Sequence, residues 1–415
     1  MRWARLAPPL LLLCLGTLTR AFDLPDIPQC AVRCQLEAIP QTACAPNNQT
    51  CLCKDTSYIN LVEPCVKANC KVKEALGQYM KPPLKEPLLI VHPVTQNITT
   101  TECGFPTTND FAVIKIIRIV LFLVLPTLAI ILRLIVKIAR ISTWGADDTT
   151  IVLAYIFLIT IIPLNHLNEM NGAGRDIWTL SFDQIDHYFM TFFIAQLLYT
   201  TNLMLIKCSI LFIFLRIFPG EKIRVVLWAT QAFSLALGVA YILLGVFQCQ
   251  PIDLVWKQWS REYPGHCVPL ITIGLSHGAI NIALDVWMLL LPVTQVMALN
   301  MKRQKKWAVL FMFSLGLFLT IASIIRLRAI MMYTVTSTNP TVDSTPSAVW
   351  SDVELDVGIF TACIPNMRQF VCRFVLRESR RAEKLSSTHA QNRSLEEKPP
   401  PPLPTARAFE EELRC

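Results

Sequence analysis

Lys207, Asp285, Glu354 and Asp356 each stand inside a long apolar run of this chain. An ionisable group at membrane depth is costly enough that it normally faces a bundle interior or a wet cavity. Groups so placed contact a ligand, exchange partners as a conformation changes, or pair structurally with internal donors such as Asn281, Lys207 or Arg326. Cysteine supplies the second chemistry. Eight of the fifteen, Cys30, Cys34, Cys44, Cys51, Cys53, Cys65, Cys70 and Cys103, lie in one short polar segment with too few large apolar residues to build a core. Such an even set reads as a disulfide framework in an oxidising compartment, with about 105 formal pairings. A zinc site would want paired Cys-x2-Cys knuckles, which this spacing lacks. Cys249 and Cys267 flank a later polar connection and are expected to bond to each other, two free thiols being the alternative.

The elements that must position these residues follow from composition. Over 415 residues, 53% are hydrophobic and 16% charged, and the mean hydropathy is +0.45. That is far too apolar for a soluble protein and predicts a membrane protein. The net charge of +8 is divided among short basic clusters without interleaved aromatics, so no nucleic-acid partner is expected. No His-Glu-x-x-His, Gly-x-Ser-x-Gly or phosphate-cradling glycine loop occurs, and the six histidines are scattered. Neither enzymatic activity nor a metal centre is expected.

Residues 1–21 read as a signal peptide, with Arg2 and Arg5 ahead of an apolar run too short to span a bilayer. Residues 22–110 form the Cys-rich extracellular domain and its linker, with glycosylation sequons at Asn48 and Asn97. Residues 111–372 hold seven predicted spans, near Phe111–Leu132, Thr149–His166, His187–Phe214, Val225–Phe247, Leu270–Val293, Trp307–Leu327 and Trp350–Cys372. Residues 373–415 are expected to be a disordered cytoplasmic tail. It opens on a basic patch suited either to anionic lipid or to stopping transfer. Lys398–Pro404, KPPPPLP, is a polyproline segment that fits an SH3 groove or serves as a spacer. Cys372 is a palmitoylation candidate at the inner boundary, an unmodified thiol being the alternative.

Orientation follows from the Lys and Arg of the short connections. The first, third and fifth carry ten (Arg133, Lys137, Arg140, Arg216, Lys222, Arg224, Lys302, Arg303, Lys305 and Lys306), and the second, fourth and sixth carry five. The basic set is read as cytoplasmic, which puts the N-terminus outside a plasma-membrane protein. The seventh span contains no lysine, so it offers no amine for a retinal Schiff base.

The spacing from Pro28 through Cys70 closely resembles the CFEM domain, an eight-cysteine module of fungal cell-surface proteins, which implies a small helical head. Haem-capturing members of that family place an iron-ligating Asp three residues before the Cys-x-Cys pair. Asn48 stands there, and an uncharged amide is a poor iron ligand, so no cofactor is expected. Extra residues separate the flanks Lys71–Leu76 and Cys103-Gly104. In the membrane half, Trp144-Gly145-Ala146-Asp147-Asp148, Lys207-Cys208-Ser209-Ile210, Leu215-Arg216-Ile217-Phe218-Pro219, Cys249-x-Pro251, Asn281-x3-Asp285-x6-Pro292 and Ser323-x2-Arg326-Leu327 look like the fungal rhodopsin-like integral membrane family. Joined, the halves resemble the CFEM-containing G-protein-coupled-receptor-like proteins of filamentous fungi, whose best-known relatives sense host-surface cues. The resemblance implies an all-α protein with a seven-transmembrane helix bundle under a disulfide-rich extracellular CFEM domain. It also implies coupling to a heterotrimeric G protein through Arg216, Lys302, Arg303, Lys305 and Lys306. Arg216 is either an activation-sensitive cation or a snorkelling flank residue. A haem- or iron-handling surface protein, an adhesion-type protein and a transporter are the rival readings.

Overall fold

The computed structural model describes residues 29–45, 48–76, 123–298, 303–336, 339–371 and 373. The signal peptide, Asn97, Cys103, Lys302 and the tail with Lys398–Pro404 lie outside the described residues, as does most of the first predicted span. The head is helical: α1 (Gln29–Ala38), α2 (Gln49–Leu52), α3 (Thr56–Asn69) and α4 (Val72–Leu76). Cys30 and Cys34 lie one turn apart on α1, so both face α3. They bond to Cys70 and Cys65, and Cys44 bonds to Cys51. Cys53 is also disulfide-bonded, to a partner outside the described residues. Asp55 caps α3 by accepting from Ser57 N at 2.9 Å.

The membrane half begins with α5 (Val124–Ile138), α6 (Ala146–Met170), α7 (Phe182–Ile217) and α8 (Glu221–Val246). After α8 come strand β1 (Cys249–Gln250), the short α9 (Leu254–Lys257) and β2 (His266–Cys267). Then follow α10 (Leu270–Ala298), α11 (Arg303–Thr336), the single turn α12 (Pro340–Asp343) and α13 (Thr345–Phe370). Among the described residues, α6, α7, α8, α10 and α11 are long and apolar enough to cross a membrane. Only 15 residues of α5 are described, and α13 carries Asp352, Glu354 and Asp356 in its first half.

Local sequence explains where these helices start and stop. Ser181 and Gln184 form a reciprocal capping box at the start of α7, and Phe218-Pro219-Gly220 ends it. Asp148 accepts from Gly145 N at 2.8 Å and closes the first turn of α6. The long helix α7 sits at the centre, packed on α6, α8 and α13, while α13 also touches α5 and α11. The main core joins Ile151, Ala154 and Leu158 of α6, Tyr199, Leu203 and Ile206 of α7, and Leu355, Ile359 and Ala362 of α13.

Two expectations need correcting. Arg133 and Lys137 are not loop residues: α5 continues past them to Ile138, and Arg133 is 1% exposed. Arg326 likewise lies within α11, not in the sixth connection, and is 2% exposed. A hydropathy reading stops a span at a charge, whereas a helix continues through one that is neutralised by a partner. With these three buried residues removed, the two-to-one basic bias of the alternate connections and the helix ends beside them remains.

The head-side end of the bundle is interlocked. Gly174 N donates to Thr341 O at 2.8 Å, and Asn339 Nδ2 donates to Asp176 Oδ1 at 2.6 Å. Asn339 Oδ1 accepts from Ile177 N at 3.0 Å, and Tyr188 and Ser344 share a hydroxyl contact at 2.7 Å. The turn before Asp176 depends on glycine. Gly172 has φ +101°, and a Cβ there would lie 2.3 Å from Leu180 Cδ2. The Cys249–Cys267 disulfide bridges β1 and β2 in the connection from α8 to α10.

Candidate functional site

Two clusters of buried charge hold α7 at different depths. The central one is built from four helices. Tyr199 and Lys207 lie two turns apart on α7 and Asn281 and Asp285 one turn apart on α10, so each pair shares a face. Ser323 and Arg326 come from α11, and Glu354 from α13. Lys207 Nζ is ion-paired and hydrogen-bonded to Asp285. Glu354 is 2% exposed and accepts from Tyr199 Oη at 2.5 Å, Ser323 Oγ at 2.5 Å and Asn281 Nδ2 at 2.8 Å. Arg326 Nε stands 3.0 Å from Glu354 Oε2, and its guanidinium lies 4.9 Å from the centre of the Tyr199 ring. Asn281 and Ser323 also reach Asp285 Oδ2, each at 3.3 Å, so they bridge the two ion pairs.

Two cations and two carboxylates therefore neutralise one another inside the bundle. The geometry matters because a buried pair offsets its desolvation only when its remaining hydrogen-bonding capacity is also used. Such an arrangement can change state by exchanging partners between α10, α11 and α13, without moving net charge into lipid.

The second cluster lies near the other end of α7. Arg133 of α5 donates Nε to Asp148 Oδ1 at 2.8 Å, Nη2 to Asp147 Oδ2 at 2.6 Å and Nη1 to Ala362 O at 2.7 Å. Lys137 Nζ is 2.8 Å from Asp148 Oδ2, and Ser209 Oγ donates to Asp147 O at 2.8 Å. α5 and α7 meet α6 on these two aspartates, and Arg133 carries the link on to α13. Arg216 side-chain exposure is 42%, yet its Nη2 donates to Thr143 Oγ1 at 2.9 Å and its Nη1 is 3.7 Å from Asp147 Oδ1. It is engaged with the connection between α5 and α6.

Beside the central cluster lies an apolar cavity of about 110 Å³ among α7, α10, α11 and α13, lined by Phe214, Met288, Pro292 and Phe313 with Asp285 in its wall.

Lys207, Asp285 and Glu354, singled out in the sequence, thus come together in one cluster. Asp356 is buried on the same helix as Glu354. Arg303, Lys305 and Lys306 lie at the start of α11. Asn48 is exposed, and its Oδ1 accepts from Cys51 N at 3.2 Å. The sequence placed Arg133 and Lys137 in a loop and offered Asp147, Asp148 and Ser323 only as motif residues, and neither these nor Tyr199 were expected in a buried cluster. A usable signal existed for the first four: two carboxylates opening one helix, and two cations a turn apart ending the previous one. Among the described residues, no group of three or more His, Cys, Asp or Glu is placed to hold a metal ion.

Residues 132–373 match the fungal rhodopsin domain, and residues 23–81 match the CFEM domain. A SAT4 family membrane protein of Emericella nidulans is 30% identical over 247 residues, covering 57% of this chain and 60% of that one. Satratoxin biosynthesis SC1 cluster protein 4 of Stachybotrys chartarum is 24% identical over 176 residues, covering 42% and 62%. Receptor GIN3 of Arthrobotrys oligospora is 23% identical over 207 residues, covering 50% and 49%. The matched part spans about half to three fifths of these relatives' lengths. No solved structure matches the chain.

Proposed function

Because the chain belongs to the fungal rhodopsin domain family, we propose that it is a seven-transmembrane plasma-membrane receptor. In this reading an extracellular or host-surface cue acts on the CFEM-bearing side, and the basic side engages a heterotrimeric G protein. The observation that carries the reading is the pair of buried charge clusters along α7, one tied to α10, α11 and α13 and the other to α5, α6 and α13. A cue that favours one arrangement of the first cluster by differential affinity shifts α7 relative to its neighbours. The same helix ends at Arg216, whose bonds to Thr143 and Asp147 would open or tighten with it. A relative that carries the word receptor in its name supports the same direction.

Cue-dependent recruitment of a G-protein alpha subunit in cells tests the reading. Wild type is compared with Arg216→Ala and with a variant in which Lys302, Arg303, Lys305 and Lys306 are neutralised. The expected result is recruitment by wild type that both variants weaken. No recruitment under any surface or hydrophobic stimulus would overturn the coupling.

A further inference from the structure

We propose that α4 is a strap by which the disulfide-bonded head restrains the head-side start of α7, and through it the central charge cluster. The purpose of such a restraint rests on the receptor reading, but its contacts do not. Lys73 of α4 places Nζ 2.5 Å from Glu262 Oε2 in the connection between β1 and β2, and 5.5 Å from the centre of the Phe182 ring at the start of α7. One turn along, Leu76 is 6% exposed and packs with Ile177, Leu180 and Ile185. Trp259 closes the same seat, its ring 5.9 Å from Phe182 and its Nε1 donating to Asp186 Oδ1 at 2.6 Å. Two stretches far apart in the chain, one from Ile177 into the start of α7 and one around Trp259, therefore meet under one short helix.

The physical case for a strap lies in what holds α4 in place. Five residues cannot sustain a helix alone, so α4 depends on its seat and on the anchor before it. That anchor is the Cys30–Cys70 disulfide, two residues upstream of Val72, which ties the strap to α1. Among the described residues, a displacement of the head pulls on α4 and its seat. The seat is also the start of a continuous helix that carries Tyr199, Lys207 and Arg216, and a long packed helix moves as a body rather than bending locally. Ion pair, cation–π contact and buried leucine act at one point, so releasing any of them loosens the same joint.

The test uses the full-length protein in lipid nanodiscs, with hydrogen exchange read over residues 177–189. A second readout is a spin-label distance between the far ends of α7 and α11. Leu76→Ser is expected to speed exchange at the seat by roughly tenfold, the loss expected when a buried leucine side chain is exposed, and to shift the far-end distance distribution. Lys73→Glu and Glu262→Lys should each loosen the seat, and the double charge swap should restore it. Unchanged exchange in Leu76→Ser and both single charge variants would overturn the strap. So would a loosened seat with no change at the far end, which describes a mere tether. Both structural effects without G-protein recruitment in any variant would support the strap and count against the receptor reading alone.

Discussion

Replacing Glu354 by Gln tests whether the central cluster is a balanced set of charges or only a collection of hydrogen bonds. The glutamine keeps the size of the side chain and can still meet Asn281 and Ser323, which lie 2.8 and 2.5 Å from the native carboxylate. What it cannot do is neutralise Arg326, 3.0 Å away and nearly inaccessible to solvent. Removing one member of a buried pair costs about 3–5 kcal/mol, because the survivor is left as an uncompensated charge. Retained hydrogen bonds put the substitution near the lower bound, about 3 kcal/mol. For a helical unit of this size, each kcal/mol moves the melting temperature by about 2–4 °C, so the expected drop is about 6–12 °C. Adding Arg326→Met removes the stranded cation and should recover at least half of that loss, since the uncharged Gln–Met pair leaves no uncompensated buried charge. The assay is thermal unfolding of purified protein in nanodiscs at one fixed heating rate, with both singles and the double completing a cycle. The idea would be falsified if Glu354→Gln melted within about 2 °C of wild type, or if the double variant lost as much as the two singles combined.

Three further outcomes can be checked with the same preparations. Arg133→Ala should cost about 3–5 kcal/mol in the same melt, because Asp147 and Asp148 lose the guanidinium that bonds both. Arg216→Ala, by contrast, removes a half-exposed cation and should change stability by under about 1 kcal/mol, even where it weakens recruitment. The Lys73 ammonium is raised above its usual 10.5, chiefly by its hydrogen bond to Glu262. A raised ammonium contributes fully below its unfolded value and loses that contribution as pH climbs through its folded value. Protection of the α4 seat, taken relative to the intrinsic base-catalysed exchange rate at each pH, should therefore stay constant from about pH 6 to 9 and fall only above about 10.5, which pulsed exchange measures.

Long apolar runs and the cysteine spacing made the helical bundle and the stapled head legible, because both are patterns along the chain. Helix ends were less so. Arg133 and Arg326 looked like loop residues because hydropathy counts a charge as exposed, whereas partners 15 and 28 residues away along the chain, Asp148 and Glu354, keep them inside. Lys207, Asp285 and Glu354 were recognisable one by one through their cost in an apolar run. Their assembly was not, since it depends on how α7, α10, α11 and α13 rotate against one another. The seat of α4 left no mark in the sequence: Lys73 and Leu76 look ordinary until Glu262 and Ile177 arrive from far along the chain.

The bonds from Asn339 to Asp176 and Ile177, and from Thr341 to Gly174, place a roof over the bundle on the side where the head sits. If the protein is the receptor proposed above, a water-soluble cue arriving from that side meets this roof before it meets Glu354 or Lys207. It acts there on the roof or on the head and its α4 strap, whereas a greasy one has a further route, sideways between helices from the surrounding lipid. Whether a stimulus partitions into membranes thus becomes the first property by which to sort its route.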